Sequence, residues 1–399
     1  MDLAIRDIAH HKGKFIATVI GVGLLFAVVL SMNGTYRGFI FEGLSAIQVT
    51  SPDLWVVERY RGGPFNEQST IPEFFHYSIE ALDGVEKASP FIFYGVERII
   101  HGNRKRFTII GYDVFGGLGG PQNITAGRQI EQAHYEMVAH EKLGFRPGDK
   151  IPLGLHSYTV VGLFKNGTAS DGEPLVYLSL PDAQEILYLR DNEEVRNQRE
   201  RLQQTLTGPG LLTPAQAKKY ISLLATNTHT VNAQLVKLTP GADPAAVARQ
   251  IENSLYFSVY SNDQQINLMM QGRLAKPRKQ LLLFRIILII VSVIIISLVI
   301  YTFTMEKIRS IAVMKLIGAP NLVIIRLVLE QALLLTTCSY IFGLVVIHNT
   351  YQYFPRLLQL TSFDDTVTFL IALAGAIIAS SLGIWQALKT QPALALGGH

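Results

Sequence analysis

The residues of this chain that could carry out chemistry are few, and their spacing fits no known reactive arrangement. His134 and His140 are six positions apart, and His140-Glu141 lacks the second histidine that completes the helix of a zinc protease. We therefore interpret both as surface histidines. No nucleophile and base occur together in a recognisable pattern. The sequence predicts no metal site and no catalytic residue.

A glycine-rich stretch is the one candidate for binding phosphate. It runs from Gly116 to Gly120, but it lacks a lysine and no strong helix follows it. The chain contains no G-x-x-x-x-G-K-[ST] segment either. We interpret the stretch as a flexible loop and expect the chain to bind no nucleotide and no other cofactor.

Four apolar blocks dominate the sequence. Hydrophobic residues make up 49% of the 399 residues and charged residues 17%. Phe15 to Met32 and Phe369 to Leu388 contain no charged side chain, and the third block contains only Glu330. Each block has roughly the 20 residues that a membrane-crossing helix needs, and no signal-peptide cleavage site follows the first. The predicted spans are residues 15–34, 281–303, 327–347 and 367–388.

Basic residues in short loops set the orientation of such spans. We place three segments in the cytoplasm: residues 1–14, which fit an amphipathic helix on the membrane surface, residues 304–326, and the tail 389–399. The loop 348–366 is then external. The net charge of +4 is spread along the chain and predicts no nucleic-acid partner. The basic residues that decide the orientation are Arg6, Lys12, Lys14, Lys307, Arg309, Lys315 and Lys389.

A basic cluster just before the second span opposes this orientation. It contains Arg278, Lys279 and Arg285. Because long domains cross the membrane largely regardless of their charge, we keep the assignment. We interpret the three side chains as contacts for lipid headgroups or substrate.

Residues 35–280 have a globular composition and are predicted to form an external mixed α/β domain, in two lobes because of its length. The single cysteine, Cys338, lies in the third span, so no disulfide stabilises the domain. Alternating apolar patterns and turn residues locate its elements. Predicted strands cover 53–58, 90–100, 106–112, 158–164, 175–178, 232–238 and 257–260; predicted helices cover 71–82, 181–188 and 243–255, with an inserted helical pair at 193–204 and 214–224.

An amphipathic segment, Met305 to Pro320, lies between the second and third spans. Its apolar residues, among them Ile308 and Ile311, recur at helical spacing. Gly318 is typical of a helix end, and the proline after it prevents continuation. The segment is predicted to form a cytoplasmic helix whose apolar face needs a partner.

This segment resembles the coupling element of the MacB/FtsX family of ABC transporter permeases, most closely at Leu316-Ile317-Gly318-Ala319. The family usually carries a glutamate where this chain has Ser310, and Glu306 could supply that charge. The stretch from Gly84 to Phe91 is similar to permeases of the DevC and HrtB type. Further likenesses to the family lie at residues 140–162, 235–243, 330–334 and 391–396.

The resemblance implies four transmembrane helices with a large extracytoplasmic α/β domain between the first two. It also implies a homodimer of permeases in the bacterial inner membrane and a separate, dimeric ATPase that binds ATP and Mg²⁺. A periplasmic adaptor protein and an outer-membrane channel accompany some members. The residues expected to contact the ATPase are Glu306, Ile308, Arg309, Ile311, Lys315, Gly318 and Ala319.

Two further groups are predicted to serve helix packing or conformational change. Arg326 and Glu330 are one helical turn apart and can form an ion pair. Gly375, Ala379 and Gly383 recur every four residues, as in closely packed membrane helices.

Three functions fit these observations. The favoured one is export, in which ATP hydrolysis moves the external domain. The alternatives are extraction of lipoproteins or lipids from the membrane, and regulation of a cell-wall hydrolase without transport, as in FtsX. The substrate is not encoded in any recognisable motif.

Overall fold

The computed structural model describes residues 12–65, 67–100, 102–154, 156–188, 201, 229–354 and 356–389. The chain divides into two compact units, one from Phe41 to Ala275 and one formed by the residues up to Ile40 and from Lys276 onward. Nearly all of the predicted helical pair at 193–204 and 214–224, most of the predicted N-terminal amphipathic helix, and the family likeness at 391–396 lie outside the described residues.

The helices and strands follow one another in the order expected for an α/β domain that lies between the first two spans. The helices are α1 Lys12–Thr50, α2 Phe75–Glu80, α3 Leu180–Tyr188, α4 Pro244–Leu255, α5 Asn262–Gln271, α6 Ala275–Glu306, α7 Ile308–Leu316, α8 Asn321–Thr350 and α9 Ser362–Lys389. The strands are β1 Leu54–Val57, β2 Ile71–Pro72, β3 Val85–Ile100, β4 Asn103–Tyr112, β5 Ile124–Gly127, β6 Glu136–His140, β7 Lys150–Leu153, β8 His156–Phe164, β9 Leu175–Ser179, β10 Thr230–Val231, β11 Ala233–Leu238 and β12 Ser258–Ser261.

Four helices, α1, α6, α8 and α9, are long and apolar enough to cross a membrane, so this is a multi-pass membrane protein. Each helix extends beyond the apolar block that predicted it. α1 continues past residue 34 to Thr50, and α6 already begins at Ala275 rather than at 281. Hydrophobicity marks the stretch that lies in lipid, whereas a helix continues through polar residues until a cap or turn ends it.

Small residues bring α9 close to α6 in the helical unit. A Cβ atom added at Gly375 would lie 2.7 Å from Val293 Cγ2, and one at Gly383 would lie 2.9 Å from Thr304 Oγ1. Ala379, between the two glycines, is buried. The face formed by these three small residues therefore lies against α6, as such faces do in membrane bundles.

The α/β unit is built on one ten-stranded mixed sheet. Its strand order is β12-β1-β11-β3-β4-β9-β6-β8-β5, and β7 pairs with β8. The β4–β9 and β6–β8 pairs are parallel and the other pairs are antiparallel. β2 and β10 form a separate two-stranded sheet.

Two clusters of buried apolar residues stabilise this unit. The larger one includes Ile92, Phe107 and Tyr158, and the smaller one includes Val56 and Ile251. The sequence predicted two lobes. The described residues instead form one continuous sheet that extends past both clusters, because β3 and β11 pair across the middle.

The predicted elements recur with shifted ends, and one local prediction was wrong. The segment 71–82 is not one helix, since Ile71 and Pro72 form β2 and the helix begins only at Phe75. Ile71 pairs with Val231, a partner far along the chain that no local pattern reveals. The strands β5, β6 and β7 and the helix α5 had no predicted counterpart.

The glycine-rich stretch is packed and is not simply a flexible loop. A Cβ atom at Gly119 would lie 2.7 Å from Leu235 Cδ1 and 3.2 Å from Phe91 Cδ2. Gly119 also has φ of +79°, a backbone conformation that glycine adopts without strain. The glycine lets this segment lie against the sheet.

Candidate coupling site

The segment between the second and third membrane helices forms a short helix between two turns. α6 ends at Glu306 and α7 begins at Ile308, with Lys307 between them. Gly318, at φ +92°, ends the turn after α7, and Pro320 precedes the first residue of α8. The sequence predicted one helix from Glu306 to Gly318, but the backbone breaks at Lys307, so α7 is an independent element.

One apolar face of α7 is buried inside the chain. Ile311 is 1% exposed and packs in a cluster with Ile324 at the start of α8 and Ala387 near the end of α9. Ala312 is also fully buried. Ile311 was predicted to contact a separate ATPase, and in this structure its side chain instead fixes α7 to α8 and α9.

A second apolar face of the same segment is exposed. Ile317 is 81% exposed, Leu322 73%, Leu316 58% and Val313 41%. We refer to these four residues as the exposed apolar face. The sequence analysis missed it because α7 has apolar residues on more than one side, and periodicity alone does not say which side the fold covers. The run Leu316-Ile317 before Gly318 was the available signal.

Charged residues of this region tie the helices to one another. The Lys315 ammonium donates hydrogen bonds to the carbonyl oxygens of Ala387 (3.0 Å) and Leu388 (2.8 Å), which belong to the last turn of α9. A cation there satisfies carbonyls that the helix leaves unpaired and complements its dipole. Glu306 forms an ion pair with Lys14 of α1. Lys315 and Glu306 were predicted to contact an ATPase, and in this structure both bind within the chain.

The other predicted contacts remain accessible to a partner. Arg309 and Gly318 are exposed, and Ile308 and Ala319 are partly buried. Burial lowers the pKa of Lys307 to about 8, which is well below the ordinary value of a lysine. Arg309 is an exposed cation on the same helix as part of the exposed apolar face.

The predicted ion pair of the third span forms, since Arg326 Nε lies 2.8 Å from Glu330 Oε1. At the other end of α6, Arg278 Nε donates to the Tyr36 hydroxyl at 3.3 Å. Arg278 and Lys279 are exposed and Arg285 is partly buried. These three cations follow one another along the first turns of α6, and Lys276 precedes them in the same helix.

The two histidines that could have suggested chemistry have structural partners. His134 Nδ1 is 2.9 Å from Asp182 Oδ1. His140 is only 2% exposed, so the prediction of a surface histidine was wrong for it. Its Nδ1 accepts a hydrogen bond from the Lys142 backbone amide at 3.0 Å, and burial lowers its pKa to about 4. Within the described ranges, no group of three or more His, Cys, Asp or Glu side chains could hold a metal ion.

Comparison with known families gives two matches that together cover most of the chain. The model of the MacB-like periplasmic core domain matches residues 15–254, and the model of the FtsX-like permease C-terminal domain matches residues 282–391. The first match includes α1 and most of the α/β unit. The second includes α7 and the helices on both sides of it.

Similar proteins and structures were found over long stretches. An uncharacterized ABC transporter permease of Mycobacterium tuberculosis is 23% identical over 395 residues, which is 99% of each chain. An uncharacterized permease of Mycobacterium bovis is 22% identical over 396 residues, also 99% of each chain. The crystal structure of the periplasmic region of MacB from Actinobacillus actinomycetemcomitans covers 53% of this chain and 89% of its own, with TM-score 0.34 and 9% identity. The extracellular domain of YknZ from Gram-positive bacteria covers 53% of this chain and 100% of its own, with TM-score 0.33 and 12% identity.

Proposed function

This chain belongs to the MacB/FtsX family of ABC transporter permeases, and we propose that it couples ATP hydrolysis by a separate ATPase to movements of its α/β unit. ATP and Mg²⁺ bind to that ATPase, and this chain catalyses no reaction itself. The protein lies in the inner membrane with its termini and α7 in the cytoplasm. Two copies of the permease stand above two ATPase subunits.

The exposed apolar face, which extends from α7 through the turn after it to the start of α8, is the observation that supports this proposal. Ile317 and Leu322 expose most of their surface although they lie outside the apolar centres of the spans. Apolar side chains exposed together in this way are typical of a protein contact. Arg309, exposed on the same helix, adds a charge that an acidic ATPase surface would pair with.

The buried side of α7 makes it suitable for transmitting force. Ile311 and Lys315 fix α7 to α8 and α9, so α7 cannot move without them. α9 is in turn bound to α1 by the Arg37–Asp364 ion pair, in which Nη2 donates to Oδ1 at 2.7 Å. A displacement of α7 would therefore reach α1 through α9.

α1 can carry that displacement because it is one continuous helix of 39 residues. Its last turns belong to the α/β unit and are bound there by polar contacts. The Ser45 hydroxyl accepts a hydrogen bond from the Thr168 amide (3.3 Å), and the Val49 carbonyl accepts one from the Gln122 amide nitrogen (3.0 Å). Packed helices move as rigid bodies, so we propose that α1 acts as a lever.

The four described spans carry few charged side chains that could line a hydrophilic pathway. The hydroxyls of Ser292 and Thr304 donate to the carbonyls of Leu288 (2.7 Å) and Ile300 (2.8 Å) in their own helix. Polar pathways in membrane proteins usually show charged side chains directed into the bundle. We therefore propose that substrate is exported from the periplasm or the outer leaflet, in some settings with an adaptor protein and an outer-membrane channel.

Substitution of Ile317 tests the coupling contact. Ile317→Asp replaces an exposed side chain and should leave the fold intact. It should weaken binding of the cognate ATPase by roughly tenfold to a hundredfold, because that ratio corresponds to the free energy gained by burying one large aliphatic side chain. Binding is measured by co-purification and by the ATPase activity of the complex. Ser310→Asp puts the same charge on the polar side of α7 and serves as the matched control. Full ATPase assembly with Ile317→Asp would refute the proposal.

A further inference from the structure

One strand of the α/β unit has, in its second half, an edge that pairs with no other strand of the described residues. β3 pairs with β11 only as far as Phe91, which lies opposite Ala233. Before Ala233 the chain turns away, since Thr230 and Val231 pair with β2 in the small sheet. β3 itself continues to Ile100, paired along its other side with β4 without any shift of register.

The hydrogen-bonding groups on this edge can be assigned residue by residue. The Asn232 amide donates to the Phe91 carbonyl at 2.9 Å, and the Phe93 amide donates to Asn232 Oδ1 at 2.8 Å. Backbone groups alternate in direction along a strand, so those of Gly95 and Glu97 also point to the unpaired side. Arg98 Nη1 donates to the Glu97 carbonyl at 3.0 Å.

Between Phe93 and Glu97, four backbone groups then remain without a partner among the residues that the structure describes: the Phe93 carbonyl, both groups of Gly95 and the Glu97 amide. Gly95 and Glu97 are exposed. Natural proteins usually protect such an edge with a proline, a bulge, charged side chains or a covering segment. Phe93 to Ile99 contains no proline and no bulge, and its two charged side chains, Glu97 and Arg98, lie toward the far end of the edge.

The edge lies in a groove of about 690 Å³ with two walls. One wall carries Phe65, whose ring packs against Phe93 with centroids 4.8 Å apart. Arg273 Nη1 donates to the Phe65 carbonyl at 3.3 Å and holds this wall in place. The other wall is the apolar end of α3, with Ile186 and Leu187. A groove formed in advance lowers the cost of ordering a ligand.

We propose that this groove binds an extended polypeptide segment of a partner protein, which adds as a strand to the free edge of β3. The unpaired amides and carbonyls match the spacing of another strand, and Phe93 to Glu97 accommodates about five residues at ~3.3 Å each. Walls on both faces leave room for one extended chain and not for the sheet of a second copy.

The two walls also define the side chains of the segment. Tyr94 faces α3, where its hydroxyl donates to the Ala183 carbonyl at 3.2 Å, so that side of the groove is apolar. The other side carries both the Phe93 ring and Glu97, which lies opposite Arg106 in the register. The segment should therefore place apolar side chains toward α3 and at least one polar side chain toward Glu97 on the other side. This inference concerns a surface remote in sequence from α7 and does not depend on the coupling proposal.

A peptide-binding experiment on the full-length chain in detergent tests the inference. The probe is a fluorescein-labelled hexapeptide of alternating valine and threonine, and binding is followed by fluorescence anisotropy. The same peptide methylated at every backbone nitrogen has no backbone N–H to donate, and it should bind at least about tenfold more weakly. Equal binding of both peptides, or no binding at about 1 mM, would overturn the proposal.

Two substitutions at one position provide the matched control. Gly95→Pro removes the outward amide without breaking the β3–β4 ladder, because its N–H points away from β4. Gly95→Ala keeps the amide, and its Cβ would lie no closer than 3.6 Å to any neighbour. Binding should fall about tenfold in the proline variant and stay unchanged in the alanine variant. Loss in both variants, no loss in either, or a change of oligomeric state without a change in peptide binding would refute strand addition by a partner.

Discussion

His140 should make the stability of the α/β unit depend on pH in a defined window. The side chain ends β6 and is 2% exposed, and its ring packs against Phe164 with centroids 5.2 Å apart. Burial, followed by the positive charge of Lys142, lowers its pKa from 6.5 to about 4. Its Nδ1 accepts the Lys142 amide, which fixes the neutral ring.

The sign and size of the effect follow from proton binding. Between pH 6.5 and about 4 the unfolded chain protonates His140 and the folded chain does not. Stability from this residue is therefore complete above pH 6.5, is lost as pH falls toward about 4, and falls no further below that. A shift of this size corresponds to roughly 3 kcal/mol.

His140→Asn is the perturbation that isolates this effect. Asparagine can still accept a hydrogen bond from the Lys142 amide but does not titrate. The variant should be less stable than wild type near neutral pH, because contacts with Phe164 are lost. That deficit should shrink by roughly 3 kcal/mol as pH falls to about 4.

The free energy of unfolding can be read from denaturant titrations in detergent, using the buried Trp55 as reporter. Replacing Trp385, the other tryptophan, by phenylalanine leaves Trp55 as the only signal. His156→Asn removes a more exposed histidine as the matched control and should not reproduce the change. Stability curves of wild type and His140→Asn that stay parallel across this window would show that His140 is not held neutral.

Two further predictions concern the helical unit. The first tests the orientation in a variant whose Cys338 is replaced by serine. A single cysteine introduced at the exposed Asn103 should react with an impermeant thiol reagent in spheroplasts, and one introduced at the exposed Ser310 should not. The reverse labelling pattern would invert the proposed orientation. Lys315→Met should lower the free energy of unfolding by roughly 1 to 2 kcal/mol, because it leaves the carbonyls of Ala387 and Leu388 without their charged donor. Lys315→Arg should retain most of that stability. Equal melting temperatures of the methionine variant and wild type would show that these hydrogen bonds contribute nothing.

The arrangement of the site shows where sequence reasoning stops. Gly318 and Pro320 marked the end of the segment after α7 correctly, because chain reversal there needs the conformations that these residues favour. Ile311 and Ile317 looked equivalent in the sequence, since both are apolar and belong to the same short segment. Only packing against Ile324 and Ala387 decided that Ile311 is buried and Ile317 exposed.

The same distinction holds in the α/β unit. The sequence located β4, β8 and β11 because alternating apolar residues and turn formers are local signals. It did not reveal the partner of Ile71, and so it assigned a helix where β2 pairs with β10. Neither could it show that β11 leaves β3 at Phe91, since pairing depends on where a distant strand begins.

By itself the sequence determined the four spans, the mixed α/β character of the domain between the first two, and the resemblance to MacB/FtsX permeases. These properties depend on composition, short-range periodicity and local motifs, which survive without knowledge of the fold. The tertiary structure alone decided that His140 is buried, that Lys315 binds the end of α9, and which face of α7 is free for a partner. Burial and long-range hydrogen bonds depend on which segments meet in space, and that information is distributed over the whole chain.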